Sequence, residues 1–550
     1  MNRLIIFFII QMSIAGFITA QENTSIHLDK PYYVPGEIIW YNMYLPNEFA
    51  EVEATFKIII ADDQGKKVDS YFVNNSGNQL GGHYRIPYGT ESGYYGMTVA
   101  ALDQNDLNQD LLVQFSIPIY NDLEGVEEVE GANFQNTANS TDQSINIRVS
   151  KTQYAPGEDV QIGIVSDEKI TNYSISVVDA GLLGESLTSN SIQSKSIDLS
   201  QLSAAQYKKG IYIQGQTTTK EGAPKKMNQL GVYDGASNEM HLARSNTEGI
   251  FSLSLPETQG DKSYQFAGYV SNEAQELNVD LNPDQTPAQS NELVVTSEVA
   301  NYLQASKIRK KIYQYYETLE YDLPRIVEKV SKKEVKADKN YDMSKYVQFT
   351  SVGNFFDEII SSPLQFEILE DGKVKALMYD AEGFKRFNSL GTPENFIFDP
   401  IFIVNGKLTR DATYIYSLPL DEVESVDLYT SRKNLAKLVG NFRNYGIAII
   451  NAKNPNLTVP INDEKGIKDI NAIQPAESFE NLKSLSVDMP QLRSLVYWNQ
   501  NISDGTGIAK PLVFKGSDDV STFQVTVVAR TESGKVISGS NTYTTSLLKG

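Results

Sequence analysis

The chain has 550 residues, 41% of them hydrophobic, and 69 acidic against 48 basic residues leave a net charge of −21. At roughly 100–200 residues per domain it holds about four domains, and its negative balance repels phosphate backbones and anionic lipid, so no nucleic-acid partner is expected. Cysteine is absent, which excludes disulfides, a thiolate nucleophile, zinc–cysteine sites, an internal thioester and a lipid-modified N-terminal Cys.

In chain order, Arg3, the apolar run LIIFFII (Leu4 to Ile10) and the small-residue end at Ala20 have the pattern of a signal peptide, residues 1–20, cleaved ahead of Gln21. The run is too short to span a bilayer permanently. No later stretch reaches the ~18 apolar residues of a transmembrane helix, so no direct membrane span is expected.

IHLDKPYYVPGE, from Ile26 to Glu37, returns 121 positions later as IRVSKTQYAPGE, with six of twelve positions identical. Each copy reads as strand, turn, strand. Tyr33, Pro35 and Gly36, like Tyr154, Pro156 and Gly157, are structural motif residues: Pro presets φ and Gly takes the positive φ of the turn. IIWYNMYL follows the first copy, and Val160, Ile162 and Ile164 alternate after the second. Further short strands flank turns at Asp63-Gln64-Gly65 and in DQNDLNQD (Asp103 to Asp110), where a hairpin turn is preferred to a calcium loop because Leu107 stands at a ligand position. Regular short strands with turn signals make a β-sandwich the default.

The pattern Asp29-Lys30-x-x-Tyr33-x-Pro35-Gly36-Glu37 resembles the opening of the macroglobulin-like sandwiches of the alpha-2-macroglobulin family. NYSISVVDAGLL (Asn172 to Leu183) and the C-terminal LVYWNQNISDGTGIAKPLVFKGSDD are similar to later segments of those modules. The resemblance implies macroglobulin-like sandwiches over 21–125, 132–205 and 480–550. It does not bring the family's covalent trap, which needs a Cys-Gln thioester.

Between them, GIYIQGQ and Thr247-Glu248-Gly249-Ile250-Phe251 resemble a carboxypeptidase-regulatory-like, transthyretin-type sandwich, here 206–285, with Gly249 at the centre of its hairpin turn. Residues 290–345 read as a helix and a charged linker. The helix is expected over Glu292 to Leu319 with Val295, Val299, Leu303, Ile308, Ile312 and Tyr315 on its apolar face, and the basic run Lys307 to Lys311 reads as a solvated face. Residues 346–455 resemble the plug domain of TonB-dependent outer-membrane receptors: Pro400, Val404, Asn405 and Gly406 match one signature strand, Val423, Glu424 and Val426 a second, and Gly446 with Ile447, Ile449 and Ile450 a third. About a hundred residues follow, too few for a receptor barrel, so the module is expected to fold alone and to bind or space without transporting.

The expected fold class is therefore mainly β: tandem macroglobulin-like and transthyretin-like sandwiches with one α+β plug-like domain and a connecting helix. The whole resembles multi-domain cell-envelope proteins of Bacteroidota. His27, His83 and His241 lie in separate contexts without metal-ligand spacing, and no nucleophile elbow, phosphate loop or dinucleotide fingerprint occurs. No catalytic residue, metal or cofactor is assigned, and the chain is read as non-enzymatic. The expectation is an exported protein of the periplasm, outer membrane or cell surface, acting as a protein-binding or scaffolding arm for a partner there. The alternative is a macroglobulin-type protease-capturing inhibitor without a thioester, its bait sought in 168–201.

Overall fold

The computed structural model describes residues 21–547 except 103–108, 125–143, 186–190, 199–205, 260, 271–272, 276–277, 282–285, 290, 322–333, 360–361, 380–396, 399, 440–445, 461–466, 472, 476, 483–488 and 504–510. The signal-like segment and most of the DQNDLNQD turn lie outside the described residues. Strands dominate, mostly in antiparallel sheets. Among the described residues no helix is long and apolar enough to cross a membrane. The chain divides into two compact units, one built from 1–209, 284–326 and 473–550, the other from 210–283 and 327–472.

The first unit holds two sandwiches. The strands leading into them are β1 (Gln21–Leu28), β2 (Ile38–Tyr44), β3 (Thr55–Ala61), β4 (Lys67–Asn74), β5 (Gln79–Arg85), β6 (Gly93–Leu102), β7 (Gln109–Ile119), β8 (Ile145–Val149), β9 (Gln153–Tyr154), β10 (Asp159–Ser166), β11 (Ile170–Asp179) and β12 (Ile192–Asp198). In the first sandwich the sheet β12-β1-β2-β5 faces β4-β3-β6-β7. Ile39, Tyr41 and Met43 of β2 meet Ile58, Ile60, Met97 and Val99 in this core, as the two-residue side-chain period dictates. Ile38 and Trp40 point the other way, into a second apolar cluster with Val299, Tyr302, Leu303, Leu495 and Trp498. All seven residues of β2 are therefore buried.

The second sandwich corrects two expected modules. Strands of 132–205 and of 480–550 pair with one another: β11 lies between Leu495–Ser503 and Thr522–Thr531, and β10 pairs with Leu512–Lys515. Ile147, Val160, Ile162 and Ile175 share a core with Val525 and Val527. The segment between the two blocks is long, and no local signal announces that the sheet is completed across it. β12, expected in the second module, pairs along β1 of the first, Gln21 opposite Asp198 through His27 opposite Ile192. Half of the stretch considered as bait lies in the paired strands β11 and β12, and 186–190 and 199–201 of it lie outside the described residues.

The second unit joins the segments expected to form the regulatory-like and plug-like modules. Its sandwich sheets run Ile250–Leu255, Ile211–Thr218, Asn278–Leu281 and Glu239–Ala243, Gln229–Asp234, Asp261–Val270, Glu273–Gln275. A five-stranded sheet runs Lys339–Asp342, Val423–Tyr429, Ile447–Ala452, Ile401–Val404, Lys407–Thr409, with Ile401–Val404 parallel to Ile447–Ala452. The expected linker therefore supplies an edge strand, and Asp338 before it accepts hydrogen bonds from the backbone nitrogens of Thr430 and Ser431 (2.7 and 2.8 Å), ahead of the helix Arg432–Val439. Nor does the plug-like segment stand alone. Ile467–Asn471 pairs with Asp261–Val270, and Tyr233, Met240 and Ala267 share a core with Ile401, Ile403, Leu435, Leu438 and Ile447.

Candidate functional site

The two copies of the repeated phrase fold alike. Gly36 and Gly157 take φ of +91° and +70°, the left-handed region that Pro35-Gly36 and Pro156-Gly157 turns demand. The amides of Val34 and Ala155 each donate to the acidic residue closing the phrase, Glu37 Oε2 and Glu158 Oε2, both at 3.0 Å. The Tyr33 and Tyr154 hydroxyls accept from the amides of Lys30 and Lys151 at 3.3 and 3.1 Å. Each Lys then closes an ion pair on its own Glu, Lys30 with Glu37 and Lys151 with Glu158. Seven residues apart, Lys and Glu meet because the turn folds the chain back on itself.

Their surroundings differ. Lys151 and Glu158 side chains are 56% and 31% exposed, whereas those of Lys30 and Glu37 are 0% and 1% exposed. The first pair, at 2.6 Å, is enclosed by the long helix Ser297–Tyr315 and the segment after it. Lys30 Nζ donates to the Tyr302 hydroxyl (3.3 Å) and Ser494 Oγ (3.4 Å), Tyr302 donates to Glu37, and Tyr321 shares a hydrogen bond with Ser494 (3.3 Å). The rings of Tyr33, Tyr302 and Tyr321 lie 5.1, 5.9 and 5.6 Å from the ammonium, within cation–π range. Burial pushes the Glu37 carboxyl up, but the Lys30 charge and the bonds from Lys30, Tyr302 and Val34 outweigh it and hold the group below the ordinary range.

Next to this pair, burial raises Asp29 to about 7, opposed by the Lys30 charge and by bonds from the Tyr33 hydroxyl (2.7 Å) and the Trp40 amide (2.8 Å). His27, on the same strand, is bonded to Ser174 Oγ (2.8 Å) and Ser176 Oγ (3.1 Å) of β11, and burial lowers it to about 3. It is a neutral bridge between the two sandwiches.

The helix presents a face that apolar spacing did not identify. It starts at Thr296, whose hydroxyl accepts from the Val299 amide at 3.3 Å. Ile308 and Tyr315, expected inside, are 60% and 82% exposed, while Ser306 and Arg309 are buried. The basic run is thus not wholly solvated: Lys310 donates to both Asp122 oxygens (2.9 and 2.8 Å), and Arg309 Nε lies 3.3 Å from Glu320 Oε1. Burial raises Glu320 despite the Arg309 charge.

A cleft of about 460 Å³ opens beside this cluster, its lining including Gly36, Glu37 and Glu320 from the interior and the exposed Tyr88, Glu317 and Leu319. It is the meeting point of the first phrase and the C-terminal end of the helix.

The remaining motif residues lie in the second unit and belong to turns. Gly249 has φ +76°, and a Cβ there would fall 2.2 Å from the Thr217 carbonyl oxygen. Asn405 (φ +47°) and Gly406 (φ +79°) form the hairpin turn between Ile401–Val404 and Lys407–Thr409. Asn405 also accepts from the Ala452 amide at 2.8 Å. Gly446 has no positive φ; its carbonyl accepts from the Ile401 amide at 2.8 Å, and a Cβ would meet Met378 Sδ at 2.3 Å. Among the described residues no group of His, Asp and Glu is arranged to hold a metal. The residues missed from sequence are Asp29, Lys30, Glu37, Tyr302, Arg309, Glu320, Tyr321 and Ser494. The signal that could have found the first three is the unbroken apolar run after them, typical of a strand buried on both faces.

No protein-family model matches the chain, and no curated protein does. Among solved structures it is similar to Escherichia coli alpha-2-macroglobulin activated by porcine elastase, at 7% identity and TM-score 0.24 over 96% of this chain and 44% of that one. Salmonella alpha-2-macroglobulin reacted with methylamine aligns at 9% identity and TM-score 0.23, over 95% of this chain and 39% of that one. Clostridium thermocellum CbhA fibronectin(III)-like modules align at 8% identity and TM-score 0.12, over 46% of this chain and 92% of that one. The matches cover less than half of either macroglobulin, and superposition this loose carries no activity with it.

Proposed function

We propose that this protein is an exported, non-enzymatic component of the cell envelope whose sandwiches form an arm that binds a protein partner in the periplasm or outer membrane. One observation carries the reading: the buried Lys30–Glu37 pair of the first unit is committed to holding structure. Glu37 is occupied by Lys30, Tyr302 and a backbone amide, and Lys30 by Glu37, Tyr302 and Ser494. Groups bound in this way are poor acids or bases, since their geometry is locked. What they support is a rigid surface, with an open aromatic and acidic cleft at its edge. Rigid, pre-formed surfaces suit recognition because little ordering entropy is lost on binding.

The test is recovery of a partner from detergent-solubilised outer membranes by the tagged full chain, read by mass spectrometry against a tagged unrelated sandwich. Enrichment of a discrete envelope protein supports the arm. A chain that instead slows elastase on a large protein substrate while sparing a small peptide substrate would replace it with protease capture.

A further inference from the structure

We propose that the cleft beside Gly36 receives a cationic side chain, lysine or arginine, of the partner protein. The proposal rests on the binding-arm reading and names the chemistry that this cleft would recognise. Its central observation is an incompletely satisfied buried pair. Glu320, only 8% exposed, lines the cleft, yet its Oε1 accepts no hydrogen bond. Arg309 Nε is 3.3 Å away without forming one, and none of the three guanidinium nitrogens donates to any protein acceptor. Buried polar groups are rarely left this way, because each orphan carries a desolvation penalty. A cationic donor entering the cleft would approach the Glu320 carboxylate on its lining, whose pairing with Arg309 is incomplete.

The lining selects the sign of that donor. Lys310, the cation on the lining, is already neutralised by both Asp122 oxygens at 2.9 and 2.8 Å. Glu317 adds a carboxylate at the rim, and Tyr88 and Tyr313 add rings that accommodate a cation. An anion would meet Glu317 and Glu320, while Glu37 is already paired with Lys30. An apolar group would bury Glu320 further without giving it a partner. The net charge of −21 favours approach of a basic surface over long range.

Glu317 itself points the same way. It ends the helix at φ +54°, a left-handed conformation in which glycine is the less strained residue. The Thr318 amide bonds to the Tyr313 carbonyl at 3.1 Å around this turn. A glutamate at a position where glycine would be less strained places its carboxylate at the cleft rim.

The experiment measures binding of acetyl-Gly-Arg-Gly-amide, acetyl-Gly-Gln-Gly-amide and spermidine to the full chain by saturation-transfer NMR. The Arg peptide should bind at least about tenfold tighter than the Gln peptide, a ratio worth 1.4 kcal/mol. Glu317→Gly should weaken it severalfold while leaving the fold as stable or more so, and Tyr88→Ala should weaken it without unfolding an exposed position. Equal binding of the Arg and Gln peptides, binding unchanged in both variants, or cleft binding by spermidine alone would overturn the proposal. Recovery of the membrane partner separates the two readings. A partner captured equally by wild type and both variants leaves the arm standing and removes the cleft, whereas Arg-peptide binding that the variants weaken, with no partner recovered, keeps the cleft and removes the arm.

Discussion

The phrase at Lys30–Glu37 and the phrase at Lys151–Glu158 share their turn, their tyrosine and their ion pair, and they differ in what lies on top. The exposed copy leaves water to solvate its charges, so its ion pair adds little to a turn that Pro and Gly already set. The enclosed copy has lost that water, and the hydroxyls of Tyr302 and Ser494 replace it. One local motif thus serves as a surface turn in one place and as a buried anchor between a sandwich and a helix in the other. What the pair teaches is that an ion pair's energetic role is set by its solvent, not by its residues.

The largest separation between the copies should appear on removing one charge. Lys30→Met leaves Glu37 buried and unpaired and is expected to cost about 3–5 kcal/mol, whereas Lys151→Met should leave stability within the scatter of the measurement. Urea titrations read by hydrogen exchange in peptides spanning 26–44 and 147–166 would report each copy separately. Lys30→Met combined with Glu37→Leu should recover most of the loss, and equal sensitivity of the two copies would erase the contrast between them.

Acidity should separate them next. Asp29 stands where the second copy has Ser150, and its carboxyl is raised to about 7 in the folded chain. A raised carboxyl contributes stability that is complete below its unfolded value near 4 and is lost as pH rises through 7, with a slope of at most about 1.4 kcal/mol per pH unit. Protection of 26–44 should therefore fall between pH 5 and 7.5 in the wild type and stay flat in Asp29→Asn, with 147–166 unaffected in both. A wild-type segment equally protected across that range would contradict the assigned protonation.

The turns themselves should not distinguish the copies. Gly36→Ala and Gly157→Ala both force a side chain into positive φ and should each cost about 1 kcal/mol or more. The added Cβ would lie 2.5 Å from Tyr88 Cε1 in one case and 2.7 Å from Asp518 Oδ1 in the other. Thermal unfolding with segment-resolved exchange would compare them, and a much larger loss at Gly36 would mean that the turn, and not the ion pair, carries the difference. The smallest effect concerns salt. Raising ionic strength should slightly loosen 147–166 and leave 26–44 unchanged, because screening acts on exposed charges.

Much of this architecture was legible in the residues. The alternation of Val160, Ile162 and Ile164, the Pro-Gly turns and the Asn405-Gly406 hairpin are local matters, and the strands and turns stand where those patterns put them. The helix was legible as a helix but not by its face. Arg309 and Ser306 are buried because Glu320 and Asp122 meet them, and Asp122 lies 184 positions before Ser306. Apolar periodicity favours Ile308 and Tyr315, and it has no means of counting an arginine as an interior residue before its counter-ion is known. The strand Lys339–Asp342 was hidden for a related reason: its charged residues sit on a sheet edge, where alternation is weak.

The sequence by itself determined that the chain is mainly β and that it carries one strand-turn-strand phrase, with its Pro-Gly turn, twice. Those features depend on dihedral preferences and on neighbours a few residues apart. Only the tertiary structure decided which copy is buried, that 132–205 and 480–550 complete one sandwich, and that β12 crosses to the other. The Tyr302–Glu37 bond joins residues 265 apart and the Lys30–Ser494 bond joins residues 464 apart. Such contacts follow from how whole surfaces exclude water on packing, a property of the assembled layers that no short window of residues contains.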